Sequence, residues 1–274
     1  MTAVRKMLAN WLPLYAALYL GFLYLPILLL PIFSFNVSAV PKFPLTGFTF
    51  KWYESLPRTP ALIDATWNSL IVGASAAVLS TILGICAARA ITRYRFAGQR
   101  PISGLIMAPL VLPEIIVAVS MLLVLLQLGL SLSLFTVVLG HVLICIPYSV
   151  TVLISGFEGF DRSLEEASAD LGETAFGTFR RVTLPMVAPA IISSLLCSFT
   201  ISLDDFIIAF FLTGTDVTLP IYIWGQLRFA AKLPSVLALG SLLLVGSLLL
   251  LTLAEIMRRR AERRTRNAGG GVFV

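Results

Sequence analysis

Six long apolar runs leave few folds open to this chain. A helix that crosses a bilayer needs about 20 consecutive, mostly apolar residues. Six stretches meet that length: about 12–33, 67–90, 102–128, 132–157, 186–212 and 236–257. The first is longer than a signal-peptide core and is followed by no small-x-small cleavage site, so it reads as a retained helix. Composition agrees: 58% of residues are hydrophobic and only 12% charged, against about a quarter charged in soluble domains. A folded surface in water needs more charge than that. A soluble enzyme, a disordered chain and a secreted disulfide scaffold are therefore excluded. The expected fold class is all-α integral membrane, with six transmembrane helices in a single domain, 1–274.

Charge placement orients the spans. With a cytoplasmic N-terminus, the inner segments hold Arg5, Lys6, Arg89, Arg93, Arg95, Arg100, Arg162, Arg180, Arg181 and the tail residues Arg258, Arg259, Arg260, Arg263, Arg264 and Arg266. The outer segments hold only Lys42, Lys51, Arg58, Arg228 and Lys232. Positive residues concentrate on the cytoplasmic side, so both termini are expected there. The basic tail 258–274 then reads as a membrane-surface anchor rather than a nucleic-acid site, and the expected partners are lipid and protein, with no nucleic acid. Three cysteines lie far apart in apolar runs and there is one histidine, His141. No disulfide framework or metal site is expected, and His141 reads as a packing residue.

The cytoplasmic loop 158–185, EGFDRSLEEASADLGETAFGTFRRVTLP, is long and polar in an apolar chain. Asp161 or Ser163 can cap a helix carrying Glu165 and Glu166 in its first turn, where carboxylates suit the helix dipole. Gly172 stops that helix. Thr174 or Gly177 opens a second, which Pro185 is expected to end. Leu164, Ala167 and Leu171 share one apolar face. On physics alone the loop is either a docking element or an ordinary amphipathic connector.

Spacing within it resembles the signature of permease subunits of bacterial ATP-binding-cassette importers: EAA, three residues, Gly, nine residues, Ile-x-Leu-Pro. Here Glu166-Ala167-Ser168 is followed by three residues and Gly172, and nine more lead to Val182-Thr183-Leu184-Pro185. Ser168 and Val182 depart from the pattern conservatively. YLPILLLPIFSFN, KWYESL, APLVLPEIIVAVS, DRSLEEASADLG and SLDDFIIAFF are further similar to spermidine/putrescine permease subunits of the PotC/PotI type. The resemblance implies a type I importer permease-like bundle with cytoplasmic coupling helices at 158–185. Their ATPase-coupling residues would be Glu165, Glu166, Ala167, Ser168, Gly172, Leu184 and Pro185. It also implies a bacterial inner-membrane location, a second permease forming a heterodimer, a dimer of ATPase subunits and an extracytoplasmic substrate-binding protein. No GxxxxGK[ST] occurs in the chain, so no ATP is hydrolysed here. This chain is expected to bind no cofactor, with ATP and Mg on the partner ATPase, and to be a transport subunit rather than an enzyme.

Acids inside the spans point to the cargo. A charge near the bilayer centre costs at least about 2.5–3.5 kcal/mol and so marks a functional site by default. Glu114, Asp204 and Asp205 lie inside spans, and no Lys or Arg lies well inside one. That lining favours a cationic substrate. At about 1.5 Å per residue, Glu114 lies roughly 18 Å and Asp204 roughly 27 Å from the inner ends of their spans. Asp205 continues a stripe of Ser194, Ser198 and Ser202, whereas Asp204 continues Ser193, Cys197 and Thr200. The first stripe, with Ser198, Ser202 and Asp205, is the favoured pathway lining, with Glu114 a candidate of equal rank to Asp205 and Asp204 ranked lower. The same residues fit a structural role, serines allowing close packing and acids bonded within the protein. Pro109 and Pro113 allow a kink in the third span. The reading is a permease subunit of an ATP-driven importer of a small cationic amine, a polyamine such as putrescine or spermidine. Another amine, opine or amino-acid-like substrate fits the same physics. A self-sufficient secondary transporter is disfavoured by the absence of internal repeats, and a membrane enzyme by the absence of any catalytic constellation.

Overall fold

The computed structural model describes residues 2–38, 40, 42–249 and 252, with side chains from Trp11 onward. The tail 258–274 and the end of the expected sixth span lie outside the described residues. The chain forms two compact units, 60–224 and a second made of 1–59 with 225–274.

In the unit 60–224, α3 (Pro60–Arg93), α6 (Leu134–Glu158) and α10 (Ala188–Asp204) pack together. Lipid is as apolar as leucine, so helices in a bilayer associate through close packing of small residues rather than through a hydrophobic force. α3 is built for this: Ala65, Ser69, Val72, Gly73, Ala76, Ala77, Ser80, Thr81, Gly84 and Ala88 are buried along it. A Cβ at Gly84 would collide with Ser149 Oγ on α6, and one at Gly156 with the Cβ of Ala190 on α10. Near the 158–185 segment, Ala88, Leu153, Phe157, Phe160 and Val187 form a separate buried core.

The expected third span is two helices, α4 (Gln99–Val111) and α5 (Glu114–Gln127), meeting at 108°. Two prolines lie in this stretch, and only one breaks it. Pro109 sits inside α4, whereas Leu112 is extended, φ −79° and ψ 141°, as expected of a residue sterically barred from helix by the proline after it. The expected fifth span is interrupted as well. α10 stops at Asp204, Asp205 is extended (φ −70°, ψ 121°), and a half-helix, α11 (Ile207–Leu212), follows. No proline marks this break. Instead Asp205 Oδ1 accepts the Ile208 N–H at 3.4 Å, so a side chain satisfies a backbone donor that the interruption frees. α5 and α6 pack against α11, and their apolar side chains join Ile208, Ala209 and Leu212 in one core.

Between α6 and α10 lie α7 (Ser163–Asp170), α8 (Ala175–Thr178), a π-helical turn (Phe179–Thr183) and α9 (Leu184–Met186). The bend before α10, 70°, falls at Val187 rather than at Pro185. Pro185 lies one residue before the end of the helical stretch Ala175–Met186, close to the end expected for the second helix. The chain then runs from α11 into α12 (Leu219–Leu227).

The other unit contains α1 (Thr2–Ser34), α2 (Lys51–Ser55) and α13 (Ala230–Leu249). The segment after α1 is organised around buried Asn36. The Asn36 Oδ1 accepts from the N–H (3.0 Å) and hydroxyl (2.9 Å) of Thr46, and its carbonyl from Trp52 Nε1 at 2.8 Å. The Phe35 ring packs on Phe48, Phe50 and Tyr53, with centroids 4.8, 5.3 and 5.1 Å away. These bonds and stacks tie Phe35 and Asn36, just after α1, to the segment 46–53.

Candidate functional sites: a cytoplasmic elbow and two span breaks

The loop 158–185 folds as a two-armed elbow. Asp161 Oδ1 accepts the Ser163 N–H at 2.9 Å, and this bond holds the exposed carboxyl below the usual carboxylate range. α7 ends in a Schellman motif: Gly172 N–H bonds Ala169 O (2.9 Å) and Glu173 N–H bonds Ser168 O (3.1 Å). That closure requires a left-handed residue, and Gly172 has φ +84°; glycine adopts it without a Cβ clash. Thr174 caps the second arm, its Oγ1 accepting the Gly177 N–H at 3.1 Å. Ser168 and Thr178 hydroxyls join the arms at 3.0 Å, and Glu173 pairs with Arg181 at 3.1 Å.

The expected coupling residues divide into two groups. Glu166, Ala167, Gly172, Leu184 and Pro185 are on the exposed surface. Leu171 and Phe176 project beside them, 90% and 72% exposed, and so add apolar surface of the kind that marks interaction sites. Ser168 is half-buried between the arms, and Glu165 points the other way. Its Oε1 accepts from the Thr183 hydroxyl at 2.6 Å and its Oε2 lies 2.9 Å from Arg93 Nε. Sequence reasoning grouped Glu165 with Glu166 and missed Arg93 and Thr183; the 100° turn between consecutive helical residues is the signal that separates the two acids.

The span breaks bring two acids together. Glu114 opens α5, where the positive end of the helix dipole favours a carboxylate, and its carboxyl faces that of Asp205. Asp205 is buried against His141 of α6: Nε2 lies 2.8 Å from Oδ2, an ion-pair distance, although the two atoms are not aligned as a hydrogen bond. The other His141 nitrogen, Nδ1, is 2.5 Å from the Ser202 hydroxyl. His141 is fully buried and links the break to α6.

The serine stripe expected to line a pathway lies inside the chain instead. Ser194, Ser198 and Ser202 are buried. Ser194 Oγ meets Thr81 Oγ1 at 3.1 Å and Ser149 Oγ at 2.7 Å. Small hydroxyl side chains here let α3, α6 and α10 approach closely, with Ser194 bonded to Thr81 and Ser149. The open face of α10 carries Ser193, Thr200 and Asp204, all exposed in this chain. The order of the two aspartates is thus reversed: Asp204, ranked lower from sequence, is the accessible one. Among the described residues no group of three His, Cys, Asp or Glu is placed to hold a metal ion.

The described residues hold interrupted apolar helices with carboxylates at the breaks, small-residue packing and a bent elbow. Residues 80–266 match the family described as binding-protein-dependent transport system inner membrane component, and the chain belongs to it. It is a multi-pass inner-membrane transport subunit, not an enzyme. Among curated relatives, it is 36% identical over 243 residues to the spermidine/putrescine transport system permease protein PotC of Haemophilus influenzae, covering 88% of this chain and 93% of that one. It is 38% identical over 250 residues to the putrescine transport system permease protein PotI of Escherichia coli, covering 88% of each. Its fold matches a chain of a bacterial transporter that imports the acidic polysaccharide alginate, with TM-score 0.74, 16% identity and coverage of 94% and 98%. A second alginate transporter structure, in complex with its periplasmic protein, matches with TM-score 0.69 and 20% identity, covering 95% and 98%.

Proposed function

We propose that this chain is one permease of an ATP-driven polyamine importer and that it carries putrescine or spermidine through acids at its span breaks. The observation that carries the reading is the likeness over about 88% of the chain to permeases named for those amines. The site's chemistry supports it. Glu114 and Asp204 are exposed acids at interruptions of apolar helices, where a carboxylate facing hydrocarbon is costly and one facing a diffusing ammonium is not. Freed backbone groups at broken helices supply further polar partners. Asp204 and Glu114 contact the cargo, while Asp205 and Ser202, both against His141, hold the break together from inside.

The remaining parts of the assembly follow from the same reading. A second permease closes the other side of the pathway, and a substrate-binding protein delivers the amine from outside. Both termini are cytoplasmic. Two ATPase subunits hold ATP and Mg and receive the elbow through Glu166, Ala167, Gly172, Leu171 and Phe176. The test is uptake of labelled putrescine and spermidine by the whole complex in Glu114→Gln and Asp204→Asn. The expected result is reduced uptake in both, with membrane insertion intact; wild-type uptake in both would leave the acids without a role in transport.

A further inference from the structure

The inner end of α3 grips both arms of the elbow. Arg93, in the last turn of α3, sits 2.9 Å from Glu165 of the first arm. Its Nη2 also donates to the Phe160 carbonyl at 3.4 Å, with the guanidinium 5.5 Å from the Phe160 ring. Arg89, one turn earlier and so on the same face of α3, places its guanidinium 4.3 Å from the ring of Phe179 in the second arm. The Arg93 and Glu165 side chains are 12% and 16% exposed, so this is not a surface pair that water screens away. Glu166 by contrast pairs with Arg162 at 3.2 Å with both side chains 65% exposed and is free to meet a partner.

These contacts give α7 a second route to the spans. Along the chain, α7 reaches α6 through Gly159–Arg162 and α10 only through the bend at Gly172, the second arm and the bend at Val187. We propose that the Arg93–Glu165 pair, seated on Thr183, is a strut that delivers movement of the first arm directly to α3. Arg93 and Glu165 are positioning residues for the transport cycle: they touch neither ATP nor cargo. The inference rests on the proposal that 158–185 is the coupling element.

Its test uses the complete reconstituted complex, reading ATP hydrolysis and putrescine uptake in the same vesicles. Arg93→Gln and Glu165→Gln should lower the amine moved per ATP about tenfold or more while hydrolysis stays within about twofold of wild type. Arg93→Lys should recover part of that ratio. The double variant Arg93→Gln/Glu165→Gln leaves no buried charge unpaired, and should be no worse than either single if the two act as one strut. A wild-type ratio in the singles, or losses that multiply in the double, would overturn the strut. So would failure of the double to co-purify with the ATPase, because the pair would then serve assembly rather than transmission. Gly172→Pro in parallel separates the two claims: if it too transports normally, the coupling reading of the elbow has failed, not only the strut.

Discussion

Replacing the two neighbouring aspartates one at a time should produce opposite phenotypes. Asp205 is buried, meets His141 at 2.8 Å and accepts the Ile208 N–H. Asp205→Ala strips both partners. Breaking a buried pair costs about 3–5 kcal/mol in soluble proteins, and polar contacts between membrane helices average nearer about 0.6 kcal/mol with a maximum of about 1.7. With the lost backbone partner added, a destabilisation of about 2–4 kcal/mol is expected. Asp204 is exposed and outside this network, so Asp204→Asn should change stability by less than about 0.5 kcal/mol. If it binds an ammonium, it loses a charge-assisted hydrogen bond of about 1.5–3 kcal/mol. At about 1.4 kcal/mol per tenfold, that is a rise in KM of roughly tenfold to a hundredfold. The assay is thermal unfolding of the purified complex alongside uptake across a range of putrescine concentrations. An Asp204→Asn complex with unchanged KM and kcat, or an Asp205→Ala complex that melts with wild type, would refute the assignment of roles.

Three further outcomes follow from the packing. His141→Leu should destabilise the complex by about 1–3 kcal/mol, because it removes the imidazole from the Ser202 hydroxyl and from Asp205 Oδ2, and His141→Asn should recover part of that in the same melting assay. Gly172→Ala must hold a side chain at φ +84°, a cost of about 1–2 kcal/mol; ATP-driven uptake should fall while membrane insertion, read by fractionation, is unchanged. Gly156→Leu drives a side chain into Ala190 between α6 and α10 and should cost about 1–3 kcal/mol or more, seen as lower yield of assembled complex.

Much of this architecture was legible in the residues because lipid leaves little choice. Apolar runs located the helices, and spacing located Gly172, whose positive φ and Schellman closure are what a glycine after an apolar helical face implies. The breaks were harder. Pro113 could be read as a kink, yet Pro109 offered the same signal four residues earlier, and only steric exclusion of Leu112 from helix decides between them. The interruption at Asp205 has no proline to mark it: the carboxylate that accepts the Ile208 N–H also meets His141, 64 positions away in sequence. The same limit explains the serine stripe. Periodicity shows that Ser194, Ser198, Ser202 and Asp205 share a face, but not whether that face meets a neighbouring helix or open space. Arg89 and Arg93 were legible as cytoplasmic charge, which concealed their contacts with Phe179 and Glu165.

The most direct test of the account is ATP-driven uptake of labelled putrescine and spermidine by the full complex in proteoliposomes, comparing wild type with Glu166→Lys. Uptake should require both ATP and the binding protein in the wild type, and should drop to background in Glu166→Lys while the variant still inserts. Uptake that persists without ATP, or at the wild-type rate in Glu166→Lys, would contradict a chain whose exposed elbow couples a separate motor to the path of a cationic amine.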